Sequence, residues 1–117
     1  MDPLNLLADQ HCQACRPGAP AIDPAELAQF LAQYLDWQVI HPDGVPQLQR
    51  VFRFSSYAQA VAFTNQVAAL AEAEDHHPAL LLEWGKVTVT WWTHAIHGLH
   101  RNDLIMAAKT DSVYTPG

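Results

Sequence analysis

Apolar residues recur along this chain with two different periods, and the switches between them mark out its elements. The first twenty residues show neither period. Pro3, Pro17, Gly18 and Pro20 interrupt them, so 1–20 reads as an irregular arm ahead of a single domain over 21–117. Asp23-Pro24-Ala25-Glu26 is a helix start: Asp23 can cap, Pro24 suits the first helical position, and Glu26 can reach back. Leu27, Phe30, Leu31 and Tyr34 then recur at helical spacing, which predicts a helix to about Leu35. Trp37 to Ile40 reads as extended, Asp43-Gly44 as a turn, and Leu48 to Phe54 as the partner strand. Leu48, Phe52 and Phe54 share one face of that strand. Arg50 breaks the apolar set, which places the strand near an edge or directs Arg50 to a polar site.

Ser56-Tyr57-Ala58-Gln59 has the form of a capping box and opens a helix with an apolar stripe of Ala60, Phe63, Val67 and Leu70. Pro78 lies beyond its end. Leu80 to Trp84, a Gly85-Lys86 turn and Val87 to Thr93 predict a second hairpin, with Val87, Val89 and Trp91 on one face. Trp91 and Trp92 are adjacent in a strand, so at most one of them can lie fully in the core. A last helix, from about Arg101 to Lys109, buries Leu104, Ile105 and Ala108. The order α-β-β-α-β-β-α predicts an α+β fold: a four-stranded antiparallel sheet with three helices on one face. Its other face is left to solvent or to association.

Composition narrows the function classes. The chain has 117 residues, half of them apolar, with 15% charged, which suits one soluble domain with its own core. No apolar run approaches the roughly 20 residues of a membrane span. Residues 1–10 hold Asp2 and Asp9 and no basic residue, unlike a secretory signal, so a cytoplasmic location is expected. A formal charge of −6, with six scattered Lys and Arg, argues against nucleic acid as a partner. Seven histidines stand out, because imidazole titrates near neutral pH and invites proton transfer or metal binding.

Three constellations could carry chemistry. In Glu72-Ala73-Glu74-Asp75-His76-His77-Pro78, two imidazoles follow three carboxylates at a helix–strand junction. The carboxylates oppose the helix dipole there by about 0.3–1 kcal/mol each, which hints at a use for them. Neighbouring extended residues point opposite ways, so His76 and His77 are expected to serve different functions; the bland alternative is a solvated loop pair. His94, His97 and His100 are spaced by three, a metal face if helical, although Gly98 and the preceding strand favour a loop. His11-Cys12-Gln13-Ala14-Cys15 is half a zinc site, and there is no second Cys pair to complete it. Cys12 and Cys15 are also too close to staple a fold, so the competing reading is a reduced arm without metal.

Glu72, His76-His77-Pro78, Trp84-Gly85-Lys86-Val87-Thr88-Val89, Thr93-His94, Gly98-Leu99 and Asp103 together resemble the signature of the pterin-4a-carbinolamine dehydratase family. Trp37, Leu48, Arg50, Phe52, Phe54 and Phe63 fall where that family has comparable residues. The run from Cys12 to Pro20, with Trp91 to Asp111, is similar to the bacterial branch found beside phenylalanine hydroxylase. The resemblance spans nearly the whole chain.

That resemblance implies a hydro-lyase. It would remove water from 4a-hydroxy-tetrahydropterin to give quinonoid dihydropterin, recycling the cofactor of aromatic amino acid hydroxylases. A proton must reach the departing oxygen and another must leave a ring nitrogen, tasks suited to imidazole without metal or organic cofactor. By analogy His76, His77 and His94 form the catalytic centre, with His77 and His94 moving protons and His76 against the substrate ring. Asp103 would orient an imidazole, Glu72 would anchor the guanidine-like edge of the pterin, and Pro78 and Thr93 would help bind or orient substrate. The resemblance also implies a homodimer or homotetramer and a functional association with phenylalanine hydroxylase. The alternative on the same scaffold is a protein-interaction module, a transcriptional dimerisation cofactor or an assembly factor. Two positions depart from the family pattern. Asn102, with Arg101 before it, stands where animal relatives have Arg, and His100 replaces the usual Ser or Thr cap, which predicts a cap that is weak or shifted toward Asn102.

Overall fold

The computed structural model describes residues 7–13 and 18–115. Asp23 caps α1 (Pro24–Gln33), its carboxylate accepting from the Ala25 N–H, with Pro24 in the first turn. The helix stops two residues short of the expected Leu35, and Glu26 pairs with Arg101 instead of reaching back to the cap. A short strand β1 (Gln38–Ile40) leads through a turn at Pro42–Gly44 into β2 (Gln47–Arg53). Ser56 caps α2 (Tyr57–Glu74) by accepting from Gln59 N–H, while the Gln59 side chain bonds Ser55. The hairpin β3 (Ala79–Glu83) and β4 (Lys86–Trp91) follows, then α3 (Arg101–Ser112).

The strands form one antiparallel sheet in the order β1-β2-β4-β3, with Leu48 opposite Trp91 and Phe52 opposite Val87. The α+β class, the four antiparallel strands and the three helices match the sequence expectation. The sheet's core face carries Leu48, Phe52, Val87, Val89 and Trp91, against Phe63, Val67 and Ala71 of α2 and Leu104 to Ala108 of α3. Each large apolar side chain withdrawn there contributes about 1.5–3 kcal/mol. Trp91 is fully buried and Trp92 partly so, as strand alternation requires.

Two further details refine the sequence reading. The strand carrying Arg50 lies next to the edge strand β1 with β4 on its other side, so it is near an edge but has no open flank of its own. The polar-site explanation accounts for Arg50. Its guanidinium lies 4.3 Å from the centroid of Phe52 and bonds Asp111 of α3 at 2.8 Å. Its Nε is buried with no hydrogen-bond partner. The second is α3, which runs to Ser112 and is buried from Asn102 through Thr110. A helix covered all round needs a second layer, and here residues 7–13 help to supply it. Leu7 is in the core, and Lys109 Nζ donates to the Ala8 carbonyl at 2.9 Å.

Candidate active site

The end of α2 sets the geometry. Asp75 adopts a left-handed conformation (φ 51°), and its N–H bonds back to the last turn. Asp is among the few non-glycine residues that visit this region readily. The next N–H, of His76, reaches the Ala71 carbonyl at 3.1 Å, closing the helix as Schellman-type ends do. That reversal sends His76 inward and leaves His77 outside.

His76 is 7% exposed and lies parallel to Trp91, ring centroids 5.8 Å apart. Its Nε2–H donates to Asp103 Oδ1 at 2.7 Å. Asp103 is fully buried, and its other oxygen accepts from Thr93 Oγ1 at 2.8 Å and from the His100 N–H at 2.9 Å. The His100 bond is half of a capping box. His100 is the N-cap of α3, with Nδ1 accepting from Asn102 N–H, and Asp103 is the reciprocal acid. The cap is therefore not shifted to Asn102: a neutral imidazole presents the same kind of acceptor as a Ser hydroxyl. One carboxylate thus caps the helix, holds Thr93 and fixes the His76 ring with hydrogen on Nε2.

His77 is half exposed, and its Nε2–H donates to Glu72 Oε1 at 2.6 Å, an i, i+5 pair across the turn. Glu72 is therefore engaged by His77 on the surface. Pro78 carries the chain into β3. His94 opens a short 3₁₀ turn, His94–Ile96, held by a bridge between Thr93 and Gly98, and its ring lies 4.5 Å from that of Trp92. The structure thus joins His76, Thr93 and Asp103 in one buried network and pairs His77 with Glu72, while His94 leaves the residue after Thr93 and is exposed. Of the metal face conceived from His94, His97 and His100, only the first two are exposed, His100 being turned inward as a cap. Among the described residues no group of three His, Cys, Asp or Glu is gathered as a metal ion requires. Cys15 lies outside the described residues.

Sequence reasoning flagged Glu74 among the helix-end carboxylates without identifying its partners. Both of its oxygens are taken, Oε1 by Cys12 N–H at 2.7 Å and Oε2 by His11 Nδ1 at 2.8 Å, and these two bonds hold its pKa below the ordinary value. The available signal was its placement: a carboxylate at a helix C-terminus needs a partner from elsewhere. Asn102 was considered as a cap, not for its contact with the arm. It exchanges two hydrogen bonds with the Gln13 backbone, at 3.0 and 2.7 Å. A cleft of about 240 Å³ lies beside these contacts, lined by His11, Ile22, Glu26, His100 and Arg101, away from His77 and His94.

Known proteins share this sequence and fold. A relative from Syntrophotalea carbinolica is 57% identical over 110 residues, covering 94% of this chain and 98% of its own. One from Marinobacter nauticus is 58% identical over 111 residues, covering 95% and 100%. Both are named only provisionally, as pterin-4-alpha-carbinolamine dehydratases. A solved structure from Brucella melitensis, described as a transcriptional coactivator/pterin dehydratase, superposes with a TM-score of 0.74 at 30% identity, covering 82% of this chain and all of that one. A pterin dehydratase-like protein described as a RuBisCO assembly factor of the alpha-carboxysome gives 0.59 at 28%, covering 70% and 93%. The family model for pterin 4 alpha carbinolamine dehydratase matches residues 20–113, the whole helix-and-sheet unit that carries the His76–Asp103 network, and the chain belongs to that family.

Proposed function

We propose that this chain is a 4a-hydroxytetrahydropterin dehydratase working by imidazole acid–base chemistry. The observation that carries the reading is the buried Asp103, which bonds His76, stacked on Trp91, and Thr93, the neighbours in sequence of the two exposed imidazoles His77 and His94. His77 and His94 are the proton-transfer groups, being accessible to substrate. The Glu72 carboxylate sets the His77 tautomer: with Nε2 donating, neutral Nδ1 is an acceptor. Dehydration breaks the C4a–O bond. One imidazolium protonates the departing hydroxyl as water, a neutral imidazole takes the ring-nitrogen proton, and the electron pair of that N–H bond completes the quinonoid double bond. His76 contributes a fixed face against the pterin ring, Pro78 and Thr93 hold the flanking backbone, and Glu72 is available to the substrate's guanidine-like edge once His77 turns to its task.

The wider reading is of a cytoplasmic homo-oligomer, in functional association with phenylalanine hydroxylase, that recycles an aromatic amino acid hydroxylase's pterin. The test is stopped-flow absorbance on freshly generated 4a-hydroxy-tetrahydropterin, which dehydrates slowly unaided. General acid–base catalysis contributes about 10²–10⁴-fold, so His77→Ala and His94→Ala should each lose a large part of that factor, and chelators should leave the rate unchanged. If wild type and the His77→Ala/His94→Ala double variant gave one progress curve, the dehydratase reading would fail. An interaction module, as the assembly-factor relative is described, would replace it.

A further inference from the structure

The contacts around Glu74 and Asn102 close a ring. Glu74, the last residue of α2, is two positions from His76, and Asn102 is adjacent to Asp103 near the start of α3. On one side of this seam, His76 Nε2 bonds Asp103 at 2.7 Å. On the other side the arm crosses it: His11 and Cys12 N–H bond Glu74, and Gln13 N–H and C=O bond the Asn102 side chain. Arg101 adds a bond to Gln10 at 3.1 Å, and the Cys12 thiol lies 3.9 Å from the Asn102 carbonyl. The same two helix ends are therefore fixed twice, once by the imidazole–carboxylate bond and once by a strap of three consecutive arm residues.

We propose that Glu74 and Asn102 are positioning residues for His76, acting through the arm. The claim deepens the dehydratase reading and rests on it for its kinetic consequence. The Glu74 side chain is only one-tenth exposed, and both its oxygens are committed to the strap, so it is not free to exchange protons with a substrate. Asn102 is 1% exposed and places its amide as a strand-like partner for one arm residue. Neither contact is to His76, His77 or His94 itself. What they fix is the separation between the α2 end and the α3 start, which is the distance the His76–Asp103 bond must span. An unstrapped seam lets that bond lengthen and the His76 ring tilt on Trp91.

The test compares Glu74→Ala, Glu74→Gln and Glu74→Ala/Asn102→Ala in the full chain, each well below its unfolding transition. NMR follows Cys12 amide exchange and the His11 ring as reporters of the arm, and the His76 ring ¹⁵N shifts as the reporter of the site. Release of the arm should move the His76 signals. Misplacing a reacting group by about 1 Å can cost about 10²-fold, so kcat should fall about ten- to hundred-fold while KM stays within about two-fold. Glu74→Gln keeps an acceptor for Cys12 N–H and should return kcat to within about three-fold of wild type. A purely structural role would lower the melting temperature and leave both the His76 signals and kcat per folded molecule in place. Should Asn102 still hold residues 11–13 in Glu74→Ala, the double variant removes both side-chain contacts to them, while Leu7 and the Lys109–Ala8 and Arg101–Gln10 bonds keep the earlier part of the arm in place. An arm released in the double variant with unmoved His76 signals would overturn the proposal. If wild type itself fails to accelerate dehydration, the functional reading falls, and the NMR comparison still decides whether the strap positions His76.

Discussion

Asp103→Asn is the most incisive single change, because the isosteric amide alters only charge and one donor. The wild-type carboxylate accepts three hydrogen bonds, from His76 at 2.7 Å, Thr93 at 2.8 Å and His100 N–H at 2.9 Å. The amide can keep two of them by turning its oxygen toward Thr93 and His100. Its Nδ2 then faces His76 Nε2, and two donors cannot share that bond. The ring must move its proton to Nδ1 and accept through Nε2. In the reverse orientation the NH₂ group meets two donors, which is worse. Hydrogen bonds to charged groups are worth about 1.5–3 kcal/mol against about 1 for neutral ones, so weakening all three costs about 2 kcal/mol in total. In a domain of this size that lowers the melting temperature by roughly 8 °C.

The assay pairs thermal unfolding with ¹⁵N NMR of the histidine rings. Wild type should show His76 with hydrogen on Nε2, and the variant should show it on Nδ1. The dehydration rate should fall with it, because the ring held against the pterin then carries a proton on Nδ1, the nitrogen not bonded to residue 103, where wild type presents an acceptor. A variant with unchanged melting temperature and His76 still protonated on Nε2 would refute the claim that Asp103 dictates the tautomer.

Three further outcomes are expected. Glu74's pKa is lowered from 4.5 in the folded chain, first by the His11 bond and then by the Cys12 N–H. Its stabilising contribution is therefore full above that ordinary value and lost as pH falls through the depressed one; urea titrations from pH 6 to pH 3 should show this acid-limb loss in wild type and less of it in Glu74→Gln. At the other end of α3, burial raises the Asp111 pKa above 3.8 despite Arg50 and the Trp37 N–H, so its protonated form is the better fit and its contribution is lost as pH rises through the raised value. Accordingly Asp111→Asn should be mild at neutral pH, whereas Arg50→Met, which strands a partly buried carboxylate, should cost about 3 kcal/mol by urea unfolding, and the double variant should recover part of it. Light scattering should report a homo-oligomer, since β1 and β3 are edge strands and Leu81 is 58% exposed on the sheet's second face; a monomeric mass at working concentration would count against it.

The elements of this fold were legible because each is announced locally. Asp23-Pro24 and Ser56 cap helices within three residues of themselves, Gly85 turns a hairpin with φ 72°, and alternation assigns Trp91 to the core. Boundaries slipped where a distant partner decides them. The last helix runs past Lys109 because Thr110 caps the Trp91 indole and Asp111 receives Arg50 and Trp37, contacts spanning 19 to 74 residues. Arg50 looked like an edge signal for the same reason. In an interior strand a guanidinium is tolerated once it lies over the rings of Phe52 and Tyr114 and meets a carboxylate, and of those partners only Phe52, two residues on along the same face, is implied by the strand's own pattern.

The three carboxylates at the end of α2 show how far a local misfit can be read. Their placement against the helix dipole was visible in the sequence and indicated that each needed compensation. The three meet different ends. Glu72 is met by His77 five residues on, Glu74 by the arm more than sixty residues earlier, and Asp75 takes the left-handed position at φ 51°, a conformation Asp adopts more readily than most residues. Dipole reasoning fixes the sign of the problem and says nothing about its range. The short-range solution was within reach of the sequence. The left-handed turn could have been suspected from Asp before a paired His. The arm was not, because nothing periodic marks residues 7–13. Their information is carried by a single carboxylate and a single amide on the far side of the fold, and the seam those two side chains hold is the one that His76 and Asp103 must span.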